Sequence, residues 1–306
     1  KNFLPVTAAV TGLGTAAVKT AADFDQEMSR VAAISGATGS DFDALREKAR
    51  EMGAKTKFSA SEAASAMEYM AMAGWKTGDM LDGIEGIMNL AAAAGEDLAT
   101  TSDIVTDAIT AFGLKASDSS HFADVLAQAS ANANTNVSML GESFKYIAPV
   151  AGALKYSVED TSLALGLMAN ASVKGSMSGT ALKTALVNMA SPTDTMAIAM
   201  DKYNISLLDS AGNSKSLKGV LDNLRSSLGG LSETEQTAAA SAIFGKEAMA
   251  GMLAIINASE EDYNKLTEAV YNADGASQQM ADTMLDNVQG SLTLLSSGLD
   301  EVKLTL

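Results

Sequence analysis

The sequence contains no cysteine and only one histidine, His121, in 306 residues. Without thiols, the chain can form no disulfide, thiolate metal site or cysteine nucleophile, and a single imidazole offers little for zinc. Proline occurs three times, and aromatic residues make up 5% of the chain. Long runs of β-branched and aromatic residues are also missing, which disfavours a β-sandwich or a parallel sheet. We therefore predict an all-α fold.

Basic residues are also scarce, because 21 Lys and Arg stand against 37 Asp and Glu, a formal net charge of −16. Nucleic acids are held mainly by Lys and Arg that displace counterions, so an acidic surface repels phosphates. We therefore expect no direct nucleic-acid binding. The uncharged stretch from Phe3 to Val18 is interrupted by Pro5 and is shorter than the ~20 apolar residues of a spanning helix. We expect no membrane binding by this segment.

Small and unbranched apolar residues are abundant. Hydrophobic residues make up 47% of the chain, which includes 17 methionines. Methionine fills irregular gaps in cores and also lines adaptable binding grooves. Core packing is the more common use at helical spacing, and we predict it for five methionines in the first third of the chain: Met67, Met70, Met72, Met80 and Met88.

Helix starts can be located from capping residues. Ser59 precedes Glu62 by three positions, and Ser232 precedes Glu235 by the same interval. In such a capping box, a hydroxyl and a carboxylate satisfy amides left unpaired at a helix start. After Ser59, apolar residues recur at steps of three and four, which predicts one buried helical face: Ala63, Ala66, Met67, Met70 and Ala73.

A break marked by glycine and then lysine recurs along the chain. Its three occurrences, whose glycines are 39 residues apart, are Gly74-Trp75-Lys76, Gly113-Leu114-Lys115 and Gly152-Ala153-Leu154-Lys155. A hydroxyl residue suited to N-capping follows each break, at Thr77, Ser117 and Ser157. Intermediate breaks fall at Gly53, Gly95, Asn132 to Asn134 and Gly175. The pattern predicts an array of helical hairpins with a period of about 40 residues.

These signals suggest three regions. Residues 1–20 form an apolar lead-in that continues an upstream segment, 21–195 hold the hairpins, and 196–306 form a C-terminal helical region. We expect a short β-hairpin or a loop excursion near 204–217. Further helices are predicted at Lys218–Leu228, Glu233–Ile256, Glu260–Asn272 and Gln278–Leu306. The chain begins without Met and stops within an amphipathic run, so we expect it to be a fragment of a longer protein.

Two motifs that could carry chemistry lack the context they need. The string Gly12-Leu13-Gly14-Thr15-Ala16-Ala17 matches a dinucleotide fingerprint, but Val31 to Gly36 offers no acid for a ribose, and helix-entry glycines are the better interpretation. Asp118-Ser119-Ser120-His121 holds the residue types of a hydrolase triad, but neighbours on one helical turn do not converge on a substrate.

Isolated acids give no firmer indication of chemistry. Glu62, Glu68 and Glu142 lie in predicted helices, where caps and solvated faces are the ordinary explanation. We predict no catalytic, cofactor-binding or metal-binding residue, no cofactor, and no enzymatic activity.

Longer stretches carry a family resemblance. The first block consists of Phe24-Asp25-Gln26-Glu27-Met28, Ala49-Arg50-Glu51-Met52-Gly53, Thr56-Lys57-Phe58-Ser59-Ala60-Ser61-Glu62-Ala63-Ala64, Met67 and Tyr69-Met70-Ala71-Met72-Ala73-Gly74-Trp75. The second consists of Ala148-Pro149-Val150-Ala151, Ser157-Val158-Glu159-Asp160, Gly166-Leu167-Met168-Ala169, Gly175-Ser176-Met177-Ser178-Gly179-Thr180-Ala181-Leu182 and Ser191-Pro192-Thr193. In order and spacing they resemble the core region of bacteriophage tail tape-measure proteins, also called minor tail proteins. The resemblance covers about residues 20 to 195.

The resemblance implies a structural protein of the virion tail that is assembled in the bacterial cytoplasm. Tail-tube subunits would polymerise around it, and its length would set that of the tail. The implied partners are the tail-tube protein, tail-assembly chaperones and tail-tip proteins, and a homo-oligomer is compatible with this role. Family members can carry peptidoglycan-cleaving domains elsewhere, but no matching residues occur here. The alternative is a helical-repeat scaffold that binds other proteins and has no role in tail length.

Overall fold

We describe the fold from a computed structural model. It describes the backbone of residues 4–305 and the side chains of 17–287 and 289–305. The predicted apolar lead-in at 1–20 lies largely outside the described side chains, and its first three residues lie outside the described residues altogether. Within the described range, Gly12 and Gly14 both lie inside the first helix rather than at its entry.

The described residues form sixteen α-helices and one short 3-10 helix, with no β-strand among them, so the predicted all-α class is confirmed. The helices are α1 Leu4–Ser35, α2 Ser40–Lys55, α3 Ala60–Met72, α4 Thr77–Ala94, α5 Leu98–Phe112, α6 Ser119–Asn132, α7 Val137–Ala153, α8 Val158–Asn170, α9 Ser176–Ala190, α10 Asp194–Lys202, α11 Leu217–Leu228, α12 Glu233–Phe244, α13 Lys246–Ile256, α14 Glu260–Tyr271, α15 Ala276–Leu285 and α16 Val288–Thr305. The 3-10 helix spans Ala116–Asp118.

The helix starts confirm the predicted period. α3, α5, α7 and α9 begin at Ala60, Leu98, Val137 and Ser176, at intervals of 38, 39 and 39 residues. α6 and α8 begin at Ser119 and Val158, again 39 residues apart. Because every second helix restarts at nearly the same interval, the repeating unit is a pair of helices joined by a short turn.

The glycines of the predicted breaks have two different roles, since some end a helix and others lie inside one. Gly74 and Gly113 end helices with φ of 89° and 70°, a left-handed backbone that glycine adopts without strain. At the third break Lys155 has the left-handed conformation, with φ of 60°. Gly152 lies inside α7, where a Cβ would come within 2.5 Å of the Ala111 carbonyl oxygen. Gly53 lies inside α2 against Ala60. Both helices end within two residues of these glycines, at Lys55 and Ala153, so the predicted breaks are present, but the two glycines allow close packing and do not themselves adopt the left-handed conformation.

The capping residues also differ in part from the prediction. The boxes at Ser59/Glu62 and Ser232/Glu235 are formed, and Ser157 caps α8. Thr77 and Ser117 do not act as caps. Instead, the backbone amides of Lys76 and Lys115 donate to Asp79 and Asp118 at 3.0 and 2.9 Å. Each bond is the carboxylate half of a capping box, in which an acid three residues into the helix accepts the amide of the residue before the helix, and no hydroxyl supplies the other half.

The chain divides into two compact units. Unit 1 contains the described residues up to Thr106, Lys115–Ser120, and those from Ser277 onwards. In its core α1 packs on α3, and α2 packs on α3 and α4. Four of the five methionines predicted to be core, Met67, Met70, Met80 and Met88, are fully buried, whereas Met72 is 55% exposed.

Unit 2 contains Asp107–Leu114 and His121–Ala276. Its main contacts join α7 to α9, α9 to α13, and α8 to α14. Three rings meet edge to face in its core, with Phe144 at 5.7 Å from Phe112 and 5.5 Å from Phe122. These are three of the few aromatic side chains in the protein, so most of the remaining core consists of Ala, Leu, Ile, Val and Met.

The C-terminal region departs from the sequence prediction in detail. The segment near 204–217 is a loop excursion, one of the two predicted alternatives, and it is held by one antiparallel bridge between Leu208 and Ser214. The helix predicted at Glu233–Ile256 is divided at Gly245, whose φ of 81° ends α12. The helix predicted at Gln278–Leu306 is likewise divided, into α15 and α16. Of the helices that the structure describes, none is both long and apolar enough to cross a bilayer.

Candidate functional site

The single histidine lies between two carboxylates from distant parts of unit 2. His121 Nε2 is 2.7 Å from Glu159 Oε1, and Nδ1 is 3.0 Å from Asp274 Oδ1. His121 belongs to the first turn of α6, Glu159 to the first turn of α8, and Asp274 to the turn that follows α14. We call these three residues the His121 clasp, because one imidazole connects three separate segments.

The surroundings of the clasp favour the charged imidazolium. Burial opposes that charge, but the hydrogen bonds to Glu159 and Asp274 outweigh the burial and raise the pKa of His121 above its ordinary value. Only the doubly protonated ring can donate to both carboxylates at once. In a neutral ring one nitrogen lone pair would face a carboxylate, so the clasp is weakened by deprotonation.

A second contact fixes the same turn to α6. The backbone amide of Gly275 donates to Asp124 Oδ2 at 2.7 Å, and Gly275 has φ of 79°. Asp124 follows His121 by three residues, which places both side chains on one face of α6. The turn after α14 is thus held at two successive residues by two side chains of one helix.

A buried carboxylate of α8 joins that helix to two other helices of unit 2. Asp160 is 1% exposed, and its Oδ2 accepts the backbone amide of Lys218 at 2.9 Å in the first turn of α11. Its other oxygen accepts the hydroxyl of Tyr271 at the end of α14. Burial, followed by the hydrogen bond to Asp160, raises the pKa of Tyr271 above its ordinary range. Asp160 therefore connects α8 to α11 and α14, and each of its two carboxylate oxygens accepts a hydrogen bond.

The residues of the Asp118 to His121 string do not form a triad in the structure. His121 has both nitrogens occupied by carboxylates, Asp118 accepts the amide of Lys115, and Ser119 is fully buried. The Gly12 to Ala17 string lies within α1, without the strand-to-helix turn that a dinucleotide fingerprint requires. In the part of the chain that the structure describes, no group of three or more His, Asp or Glu side chains could hold a metal ion.

Three acids named in the sequence analysis, Glu62, Glu68 and Glu142, cap a helix or lie on a helix face. Glu62 completes the capping box of α3, and Glu142 lies 3.6 Å from Lys145 one turn along α7. Glu68 lies on α3, partly exposed. Each position is what a cap or a solvated helix face provides.

The sequence draws attention to His121 as its single histidine but gives no indication of the two carboxylates that contact it. Glu159 is 38 residues away and Asp274 is 153 residues away, and no local motif connects either of them to His121. Asp160 and Tyr271, separated by 111 residues, were missed for the same reason. Only Asp160 carried a local signal in the sequence, because it follows the capping residue Ser157 by three positions, which is the spacing of a capping box.

Comparison with known proteins identifies the family. The chain is 37% identical over 97% of its length to the tape measure protein of Pneumococcus phage Dp-1, of which it covers 26%. It is 26% identical over 97% of its length to the probable tape measure protein of Escherichia phage P2, of which it covers 37%. It thus spans between a quarter and two fifths of these relatives, and no solved structure matches it. Residues 46–245 match the family model described as phage-related minor tail protein, about two thirds of the chain, and the chain therefore belongs to the phage-related minor tail protein family.

Proposed function

We propose that this chain is a folded helical part of a phage tape measure protein, a structural protein of the virion tail. The observation that carries the proposal is the 37% identity to a tape measure protein, which extends over 97% of this chain. The helical-hairpin architecture is consistent with a structural role, since hairpin arrays serve as scaffolds and assembly surfaces.

Within the tail, the full-length protein would set tail length and scaffold the polymerisation of the tail tube. Its partners would be the tail-tube protein, tail-assembly chaperones and tail-tip proteins, met during assembly in the bacterial host cytoplasm. No catalytic role is proposed for this chain.

The helix lengths support a role for this chain other than the measurement of tail length. As one straight helix, 306 residues would extend about 460 Å at 1.5 Å per residue. The longest helix, α1, has 32 residues, and α2 to α16 have between 9 and 18 each. A ruler requires continuous extension, so we assign the measurement to sequence outside this chain and propose that this chain is a folded helical attachment.

Tail length in a phage that encodes the protein tests the proposal. In-frame deletions outside this chain should shorten the tails in electron micrographs by about 1.5 Å for each helical residue removed. Removal of one repeat of 39 residues inside this chain, from Ala133 to Ala171, should reduce the yield of tails without a proportional change in length.

Unchanged tail length after every deletion outside this chain would contradict the tape-measure role and favour the helical-repeat scaffold. Proportional shortening after the 133–171 deletion would instead place the measuring function within this chain.

A further inference from the structure

The turn that follows α14 contains a dipeptide that is chemically reactive in itself. Asp274-Gly275 is one of two Asp-Gly pairs in the chain, and the other is Asp82-Gly83 in α4. Glycine has no side chain to shield its amide nitrogen, so the carboxyl group of a preceding aspartate can approach that nitrogen closely. The Asp274 side chain is 92% exposed and Asp82 is also exposed, so access to water does not distinguish the two pairs.

The backbone does distinguish them. Asp82 and Gly83 both lie inside α4, where hydrogen bonds between successive turns fix the peptide that joins them. Asp274 lies in the turn between α14 and α15, and the space around Gly275 is open. A bond between an aspartate carboxyl carbon and the next nitrogen requires the intervening peptide to rotate. A surface turn allows that rotation through local opening, whereas the interior of a helix does not.

Two contacts with α6 restrain the reacting groups while the turn is closed. His121 Nδ1 is 3.0 Å from Asp274 Oδ1 and holds the carboxylate that would be attacked. The Gly275 amide, whose nitrogen would attack, donates to Asp124 Oδ2 at 2.7 Å. That nitrogen must lose its proton to react, and a hydrogen bond to a carboxylate that is only 6% exposed stabilises the protonated amide. Both groups are therefore engaged with α6 instead of with each other.

We propose that the Asp274-Gly275 peptide is a modification site, which rearranges to isoaspartate when these two contacts open. The Gly275 nitrogen loses its proton and forms a bond to the Asp274 carboxyl carbon, and one oxygen of that carboxyl group leaves as water. The product is a succinimide ring, to which water then adds.

The ring opens in two ways. Cleavage of the new bond between the nitrogen and the carboxyl carbon restores aspartate. Cleavage of the original peptide bond gives isoaspartate, in which the chain continues through the Asp274 side chain and the former backbone carbonyl becomes a free carboxylate. The sequence of steps releases one water molecule and then consumes one, and it needs no other reactant.

Isoaspartate makes the opening of this turn permanent. The rearrangement adds the Asp274 Cβ to the backbone path and moves the free carboxylate to Cα. The turn then no longer presents a carboxylate and the Gly275 amide at the spacing that fits His121 and Asp124. A slow local opening is thereby converted into a lasting loss of the contacts with α6. The proposal does not depend on the role of the protein in the tail.

Incubation of the 306-residue chain at neutral pH tests the site. Isoaspartate has the same mass as aspartate, and electron-transfer fragmentation in mass spectrometry distinguishes the two at a given residue. Isoaspartate should accumulate at Asp274. His121→Gln should accelerate its formation about two- to fivefold, because an ion pair with a half-exposed imidazole is a weak restraint. Asp124→Ala should accelerate it about tenfold, because this variant removes the charged acceptor of the attacking amide.

The second Asp-Gly pair is an internal control in each protein. Global unfolding would free Asp82-Gly83 as well, so acceleration confined to Asp274 shows that the effect is local. Asp282→Asn, which alters a carboxylate of α15 outside the clasp, should leave the rate at Asp274 unchanged. Absence of isoaspartate at Asp274 from all of these proteins would overturn the proposal. Equal acceleration at both pairs, or a slower reaction in Asp124→Ala, would overturn the restraint by α6.

Hydrogen exchange tests whether the change is permanent. The modified chain can be separated from the unmodified chain by chromatography, and its Gly275 amide should exchange faster. Amides in the interior of α7 should exchange equally in both chains, which shows that the rest of unit 2 remains folded. Equal protection of the Gly275 amide in the two chains would contradict the lasting loss of the contacts with α6.

Discussion

Gly179 of α9 lies so close to α7 that a methyl group at this position would be 2.2 Å from the carbonyl oxygen of Ser143. The Ser143 hydroxyl reinforces the contact by donating to the Gly175 carbonyl at 2.9 Å, just before α9 begins. The two helices therefore meet backbone to backbone, and the absence of a side chain at Gly179 is what allows it.

Gly179→Ala should destabilise unit 2, because the methyl group meets rigid backbone rather than a side chain that can move. The expected loss is about 1–3 kcal/mol, typical of overpacking in a core. The measurement is thermal denaturation followed by circular dichroism at 222 nm. Gly78→Ala is the control, because Gly78 lies in α4 with open space around it, and alanine should there be neutral or slightly stabilising. Equal melting temperatures for the two variants would contradict the close contact.

The only tryptophan of the chain reports on a similar contact in unit 1. Trp75 is 6% exposed, and a methyl group at Gly83 of α4 would lie 2.3 Å from its Cζ3. Gly83→Ala should therefore push the indole towards water and shift its fluorescence emission to longer wavelength. An emission maximum identical to that of the natural chain would refute this prediction, and Gly78→Ala again provides the control.

The protonation of His121 can be measured without interference, since the chain has no other histidine. Its imidazole signals in proton NMR should titrate with a pKa above the ordinary value of about 6.5. Asp274→Asn should lower that pKa, because it replaces one of the two carboxylates that stabilise the imidazolium. Asp282→Asn, which alters a carboxylate of α15 outside the clasp, should leave it unchanged. A titration at or below 6.5 in the natural chain would contradict the clasp.

The same clasp makes local stability depend on pH. Because the folded-state pKa of His121 exceeds its unfolded value, the stabilisation is complete below the unfolded pKa and is lost as pH rises through the folded pKa. The imidazole is 46% exposed, so solvent screening limits the effect to about 0.5–1 kcal/mol. Hydrogen exchange of the Gly275 amide, corrected for its intrinsic pH dependence, should lose protection across this range in the natural chain and not in His121→Gln. Equal pH dependence in both proteins would rule out the clasp as the cause.

The buried carboxylate of Asp160 should be among the most sensitive positions of unit 2. Asp160→Ala leaves the amide of Lys218 and the hydroxyl of Tyr271 without their acceptor, at an expected cost of about 2–4 kcal/mol. Tyr271→Phe should cost less, and the double variant should lose less than the sum of the two single losses. Urea denaturation of all four proteins measures this coupling, and strictly additive losses would exclude the contact.

Much of the backbone organisation could be predicted from the sequence. Ser59 and Ser232 mark true helix starts, because a capping box is a contact between residues three positions apart. The period of the hairpins could also be predicted from the sequence, because turns recur at fixed intervals along the chain. The role of each glycine was harder to predict from the sequence. Gly74 ends a helix and Gly152 lies within one, although both precede a lysine in similar strings.

The sequence by itself determined the all-α class, the 39-residue repeat and the resemblance to tail proteins, since these depend on local preferences and on the order of residues along the chain. Only the tertiary structure decided that His121 meets Glu159 and Asp274, and that α16 presents its apolar side to solvent. The physical reason is the distance along the chain over which each kind of interaction acts. Capping and helix breaking act within a few residues, whereas a side chain's partners and the rotation of a helix are set by packing between segments distant in the chain.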